Sequence, residues 1–248
     1  MKKKKSDHLI SAYVIKGSAL DVLGKTKESI KLFEKGIKRT EGHYLLHFNL
    51  AINHYKIKNY KEAEEQALKA LEFNPSHSSS HLMLANINQQ NYKMVPAILS
   101  AHYFLLLEPQ TNRSSEAFEI LTSNLGGNVE KVDDRNTNIT LNLGGDDRFR
   151  STELLISLSM ANMITEDVDK DSAFYELNKM IFNTLGEQAS EIKDIYQSMY
   201  IPFFYELAQS DHLETYLKYI QSGVKEEASE WIQNNEAALN AFASWLEQ

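Results

Sequence analysis

The chain has no cysteine among its 248 residues, which excludes a disulfide framework, a thiolate nucleophile and any zinc or iron–sulfur site built on Cys. The compartment stays open, because reducing and oxidising surroundings both host Cys-free proteins. Proline and glycine are also scarce, at 4 and 10 residues, so an architecture of many short strands joined by tight turns is disfavoured. Plentiful Ala, Leu, Glu, Lys, Gln and Asn suit helices instead, and an all-α class is expected. No apolar run approaches the ~18 residues a membrane-spanning helix requires. Lys2 to Lys5 could open an export signal, but the following SDHLISAYVIKGSALD has no sustained apolar stretch and no clean cleavage site, so no signal is read in the chain as given.

Positive charge is in short supply as well. The formal net charge of −8 argues against a nucleic-acid partner, since phosphate binding relies on clustered Lys and Arg. The deficit is uneven. Residues 1–70 hold 15 basic and 8 acidic side chains, whereas the remainder holds 11 and 26. Solvated helix faces of opposite bias account for this; head-to-tail attraction between copies, giving a homo-oligomer, or capture of an acidic partner by the N-terminal units are the alternatives.

What the chain does contain is a 34-residue period. Leu50 aligns with Leu84, Ala51 with Ala85, Ala63 with Ala97, Ala67 with Ala101 and Pro75 with Pro109, each pair 34 apart. The segment 44–77 reads His47-x2-Leu50-Ala51-x2-His54, then Ala63-x3-Ala67, then Pro75. The segment 78–111 repeats this with His81, Leu84, Ala85, Asn88, Ala97, Ala101 and Pro109. An earlier segment, 10–43, keeps Tyr13, Gly17, Leu20, Ser29 and Phe33 in register but has Glu41 where the proline should stand. This pattern resembles the tetratricopeptide repeat (TPR) family, W-x2-L-G-x2-Y, then A-x3-F, then P, with most of the large aromatics thinned out.

The resemblance implies paired helices stacked into a superhelix, and the residues agree with it physically. Small residues at 17, 51, 85, 63 and 97 let neighbouring helices approach closely. Asn59 with Glu62 has the spacing of a capping box. Pro96 falls in the first turn of a helix, where its missing donor is harmless, and Pro75 and Pro109 end helices. Phe118, Leu121 and Leu125 form a stripe suited to a terminal capping helix. The expected organisation is three TPR units and a cap over 9–125, a β-hairpin connector over 126–150 and a C-terminal helical domain over 151–248.

The connector rests on alternation. Thr137, Ile139, Leu141 and Leu143 would share one strand face, with Asn138, Thr140 and Asn142 on the other and Val129 to Val132 pairing across a DDRN turn. Beyond it, helices are expected near 152–165, 172–186, 190–209, 211–222, 224–234 and 236–247. The first of these, containing LLISLSMANMI, is apolar nearly all round and is expected to be buried. Pro202 should kink or split the third, and Asp211 with Glu214 suggests a second capping box. The PFFYELAQSDHLE stretch and the Trp-containing terminus are similar to an extension on some bacterial TPR proteins of no assigned activity. The compartment is left open: the cytoplasm for the chain as given, or the bacterial cell envelope if an export signal has been removed.

Several residue groups invite chemistry. Gly24-Lys25-Thr26 evokes a phosphate loop, but Ala19 stands where the earlier glycine is needed, and a helical turn replaces the required strand. His43 with His47, and His77 with His81, have one-face metal spacing. Both pairs follow the repeat period and lack a completing carboxylate, so descent explains them and no metal is expected. Tyr200, Phe203, Phe204 and Tyr205 read as core rather than as a pocket wall. Asp146-Asp147 and Glu226-Glu227 sit beside helix starts, where the dipole favours them. No catalytic residue and no cofactor are expected.

The TPR resemblance implies a partner instead, an extended peptide or a helix of unknown identity, lying in a groove lined by the first helix of each unit. By repeat position that groove presents Val14 and Ser18, then Phe48, Asn49, Ile52 and Tyr55, then Met83, Asn86 and Gln90. In the chaperone-binding TPR subset a C-terminal carboxylate is held by two lysines, two asparagines and an arginine. Only Asn49 matches here, with Val14, Ser18, Ser79 and Met83 in the other places, so no grip on acidic C-termini is expected. The alternatives are a self-assembling structural protein, or a small-molecule or enzymatic site within 151–248.

Overall fold

The computed structural model describes residues 2–126, 129–133, 136–140, 147–188 and 194–247, with side chains from residue 8 onward. It is helical almost throughout, with one two-stranded antiparallel sheet among the described residues. No helix there is long and apolar enough to cross a membrane. The chain divides into two compact units, residues 1–91 and 92–248.

The first unit holds α1 (Lys2–Val22), α2 (Thr26–Thr40), α3 (Tyr44–Lys56), α4 (Tyr60–Phe73) and α5 (Ser78–Gln90). Helices α1 and α2 pair, as do α3 and α4, and α3 also packs on α1, α2 and α5. Its core gathers Ile10, Tyr13, Phe33, Leu46 and Leu50, with Val14, Ile30 and Ile37 at the edge. Burial of a side chain such as Phe33 contributes about 1.5–3 kcal/mol.

Close approach depends on the small residues the repeat places there. A Cβ on Gly17 would stand 2.3 Å from Phe33 Cζ, and one on Gly36 would stand 2.9 Å from the Tyr13 ring. Ala51, Ala63, Ala67 and Ala85 are wholly buried. A buried polar relay joins three helices: Ser29 Oγ donates to the Gly17 carbonyl at 2.8 Å, and Asn53 Nδ2 donates to Ser29 Oγ at 2.6 Å.

The repeat is written into the backbone too. Gly24, Lys58 and Tyr92 have φ of 73°, 59° and 56°, and they stand at the same position of successive 34-residue segments. Each turns the chain through the left-handed region that costs a side-chain-bearing residue roughly 1–2 kcal/mol. Asn59 does follow as N-cap of α4, but its side chain makes no cap bond; its amide lies 3.5 Å from His54 Nδ1 instead. The expected capping box is therefore not formed.

The second unit comprises α6 (Met94–Leu107), α7 (Ser114–Leu125), β1 (Val129–Lys131), β2 (Thr137–Ile139), α8 (Arg150–Thr165), α9 (Lys170–Glu187), α10 (Ile201–Gln209), α11 (Leu213–Gln221), α12 (Glu226–Asn234) and α13 (Glu236–Leu246). The strands pair Val129 with Ile139 and Lys131 with Thr137. Thr137 and Ile139 are half-buried and Asn138 exposed, in keeping with the expected alternation. Leu141, Asn142, Leu143, the middle of the DDRN turn and Asp146 lie outside the described residues.

Helix α6 is the hub, buried on nearly every side and packed on α7, α8, α11 and the segment before α10. Within it His102 is wholly enclosed. Its Nε2–H donates to Asn178 Oδ1 at 2.6 Å, and Nδ1 takes the Tyr216 hydroxyl at 2.8 Å. Phe182 stacks on Phe204 at 4.7 Å beside it. Tyr200 and Phe204 are fully buried, as the core reading requires, while Phe203 and Tyr205 are half-buried. Pro202 sits in the first turn of α10, after a π-helical segment Tyr196–Tyr200. The helix is thus not split but widens into a π turn just before the proline, where the ring and missing N–H defeat a regular α bond ladder.

Two expectations fail in this unit. Helix α11 is preceded by His212, whose N–H is taken by Ser210 Oγ at 3.1 Å, and no side-chain cap from Asp211 forms. Helix α8 is not buried all round. Only Thr152, Ile156 and Ser157 are fully covered, while Leu154, Leu155 and Leu158 are 40%, 36% and 50% exposed. Its neighbours α6, α7, α9 and the two strands leave that ridge open.

Candidate functional site

In the first unit α1, α3 and α5 lie side by side, α3 touching both others. Residues three, four and seven apart on a helix share a face, and the spacings 14/18, 48/52/55, 49/52 and 83/86/90 follow that rule. Val14, Ser18, Phe48, Asn49, Ile52, Tyr55, Met83 and Asn86 are all half-buried, and Gln90 is exposed. All but Gln90 are therefore neither core nor freely solvated: apolar and polar groups share the surface of one layer.

Polar contacts order the layer. Ser18 Oγ donates to Asn49 Oδ1 at 3.3 Å, joining α1 to α3, and Asn49 Nδ2 donates to the Leu45 carbonyl at 2.7 Å. An amide offers two donors and two acceptor lone pairs, so Asn49 is held in place with one N–H and acceptor capacity to spare. Asn86 repeats the anchor, donating to the Leu82 carbonyl at 3.2 Å.

Three features of this face escaped sequence reasoning. Lys56 forms an ion pair with Asp21 across α3 and α1, and Asp21 also takes the Thr26 hydroxyl at 3.0 Å. The His77 ring meets Phe48 edge-on at 4.8 Å and Tyr44 at 4.9 Å, extending the aromatic surface. Tyr55 leans on Tyr60 at 5.4 Å. Tyr44 stands four residues before Phe48, a spacing that could have revealed it. His77 gave no such signal, because it lies at a helix start rather than on the α3 face.

The other groups singled out in the sequence have structural partners. His43 Nδ1 accepts from Leu45 N–H at 3.2 Å and so caps α3. His47 donates to Gln66 Oε1 at 2.8 Å and stacks on Phe73, and burial lowers its pKa. His81 donates to the Pro75 carbonyl at 2.7 Å, and burial presses its pKa down to about 4. His77 engages Ser80 Oγ at 2.8 Å. Within each pair the two rings thus face different partners. Lys25 pairs with Glu28 at 3.7 Å within a helix-to-helix turn, not beside a strand. Asp147 opens a short 3-10 turn and pairs with Arg150. Glu226 and Glu227 occupy the first turn of α12.

A stack of helix pairs with a small-residue seam, a recurring left-handed turn and one layer of half-buried first helices defines a helical-hairpin repeat. Tetratricopeptide repeat models match residues 10–43 and 44–77. Residues 10–77 are thus two tetratricopeptide repeats, and repeats of this family generally mediate protein–protein interaction. No curated protein matches the chain.

Proposed function

We propose that the protein is a non-enzymatic scaffold that receives an extended peptide or a partner helix along the α1, α3 and α5 layer, with residues 78–111 as a third repeat unit. The observation that carries this reading is Asn49. Its amide is fixed by Ser18 and Leu45 at a half-buried position, keeps one N–H and acceptor capacity beyond those bonds, and has Phe48 and Ile52 as helix neighbours. An oriented amide flanked by apolar side chains binds a peptide backbone while excluding water, and aromatic residues such as Phe48 and Tyr55 are the usual sources of binding energy at such surfaces. With Val14, Ser18, Ser79 and Met83 in place of a carboxylate clamp, the groove prefers internal or apolar segments to acidic C-termini.

The test is affinity capture from native lysate with mass spectrometry, comparing the wild type with a Phe48→Glu, Asn49→Ala double variant of unchanged melting temperature. Partners recovered by the wild type are expected to vanish from the variant. Identical recovery by both would remove this face from consideration. A second reading, self-assembly, rests on the charge split between residues 1–70 and the remainder. It predicts association on sizing columns that weakens as salt screens the charges.

A further inference from the structure

The second unit contains a trough of about 520 Å³, inside the ~300–1,000 Å³ range of small-molecule sites. It runs between α7, α8 and α9, with Phe118, Leu125, Met163, Ile164, Phe174 and Leu177 among its walls. Phe118, Met163 and Ile164 are half-exposed within it. Soluble proteins seldom leave so continuous an apolar surface uncovered. Methionines at 160 and 163 give one wall the adaptability of flexible thioethers. The opposite lip is Thr122, exposed on α7.

The rim reverses the charge of its surroundings. Among the described residues Lys131, Lys170 and Lys225 border the trough with a single acid, Asp167. Just outside, Asp171 is shared by Lys225 at 2.9 Å and Lys218 at 3.3 Å. Three lysines thus meet one aspartate on the trough's own lining, in a part of the chain where acids outnumber bases by more than two to one. Lys225 also lays its ammonium 6.0 Å from the Phe174 ring. Lysine stems extend an apolar wall while their heads remain in water. An apolar channel ending in a cationic rim is complementary to one kind of molecule: a single aliphatic chain with one negative head.

We infer that this trough binds a medium- to long-chain aliphatic carboxylate, its chain laid between α7, α8 and α9 and its carboxylate at Lys170 and Lys225. The site is separate from the α1, α3 and α5 layer, so the protein would carry a lipid-like ligand as well as a protein partner.

Calorimetric titration of the full chain with octanoate, decanoate and dodecanoate, below their micellar concentrations, tests this. Saturable one-to-one binding is expected, tightening about fourfold per added methylene. Lys170→Glu should weaken decanoate roughly tenfold and leave decanol unaffected. Thr122→Trp, which fills the trough from an exposed position, and Met163→Glu should each abolish binding with helicity retained. Absence of saturable binding at any chain length would overturn the inference, as would undiminished binding by Thr122→Trp. Equal response of decanoate and decanol to Lys170→Glu would reduce the site to nonspecific apolar adsorption. Sedimentation with phosphatidylglycerol vesicles, or dimerisation abolished by Met163→Glu, without binding of the monomeric carboxylates, would assign the surface to a membrane or a second copy instead.

Discussion

Acidification should unlock the second unit through His102. This imidazole is enclosed by Asn178, Tyr216, Phe182 and Phe204. Burial presses its pKa down to about 3, opposed by the Asn178 bond. In the unfolded chain the same group titrates near 6.5. Below about pH 6.5 the unfolded state therefore takes up a proton that the folded state refuses, and stability falls as pH drops towards 3; above about 6.5 this contribution is constant. The slope is about 1.4 kcal/mol per pH unit, so acidification to about pH 4.5 removes about 3 kcal/mol. That is a large share of the ~5–15 kcal/mol typical of a domain. Trp231 and Trp245 both lie in this unit, so urea unfolding followed by tryptophan fluorescence reports it selectively. His102→Gln keeps an amide donor for Asn178 and removes the titration. Its absolute stability will be lower, but the gap between wild type and variant should close by about 3 kcal/mol between about pH 7 and about pH 4.5. The carboxylates of Asp169 and Asp171, whose pKa values are lowered by their hydrogen bonds, also lose stabilisation in acid, but equally in both proteins. Parallel curves would refute the assignment of His102 as an enclosed neutral imidazole.

Two further outcomes follow from packing. Gly17→Ala drives a methyl into the Phe33 ring, 2.3 Å from Cζ, whereas Gly24→Ala meets nothing within 4 Å and strains only a φ of 73°. The first should cost about 1–3 kcal/mol beyond the ~1 kcal/mol of the second, read by circular dichroism during thermal unfolding; equal losses would contradict the small-residue seam. Phe242, fully buried beside Tyr216 and stacked on Trp245 at 6.1 Å, anchors α13. Phe242→Ala should cost about 3–5 kcal/mol and loosen Trp245 in fluorescence anisotropy, and an unchanged melt would show that α13 is not held by this ring.

The repeat was readable because its determinants are local and discrete: alanines, Gly17 and the prolines at 75 and 109 leave the same trace in sequence and in space. The helices beyond residue 150 were readable for a related reason, since periodic apolar residues and Pro202 mark their extents. Which way α8 faces was not. LLISLSMANMI has apolar residues on every side, so sequence alone cannot tell a wrapped helix from one whose ridge Leu154, Leu155 and Leu158 stays in water. The capping boxes misled because spacing permits a cap without requiring it: the Asn59 amide turns towards His54, and the N-cap of α11 falls at His212, one residue past Asp211. Long-range pairings such as Asp21 with Lys56, or His102 with Asn178 and Tyr216, leave no local pattern at all. The half-buried face of α1, α3 and α5 was traceable only where helical spacing extends the repeat, as with Tyr44 and Phe48.

Helix α6 serves two masters. Ala97 and Ala101 keep the positions of the 34-residue period, while His102 is tied to partners 76 and 114 positions downstream. Drift that would be silent on the outer side of an ordinary repeat helix severs an attachment here. Copying or swapping this segment would therefore break the bonds that hold α9 and α11 to it.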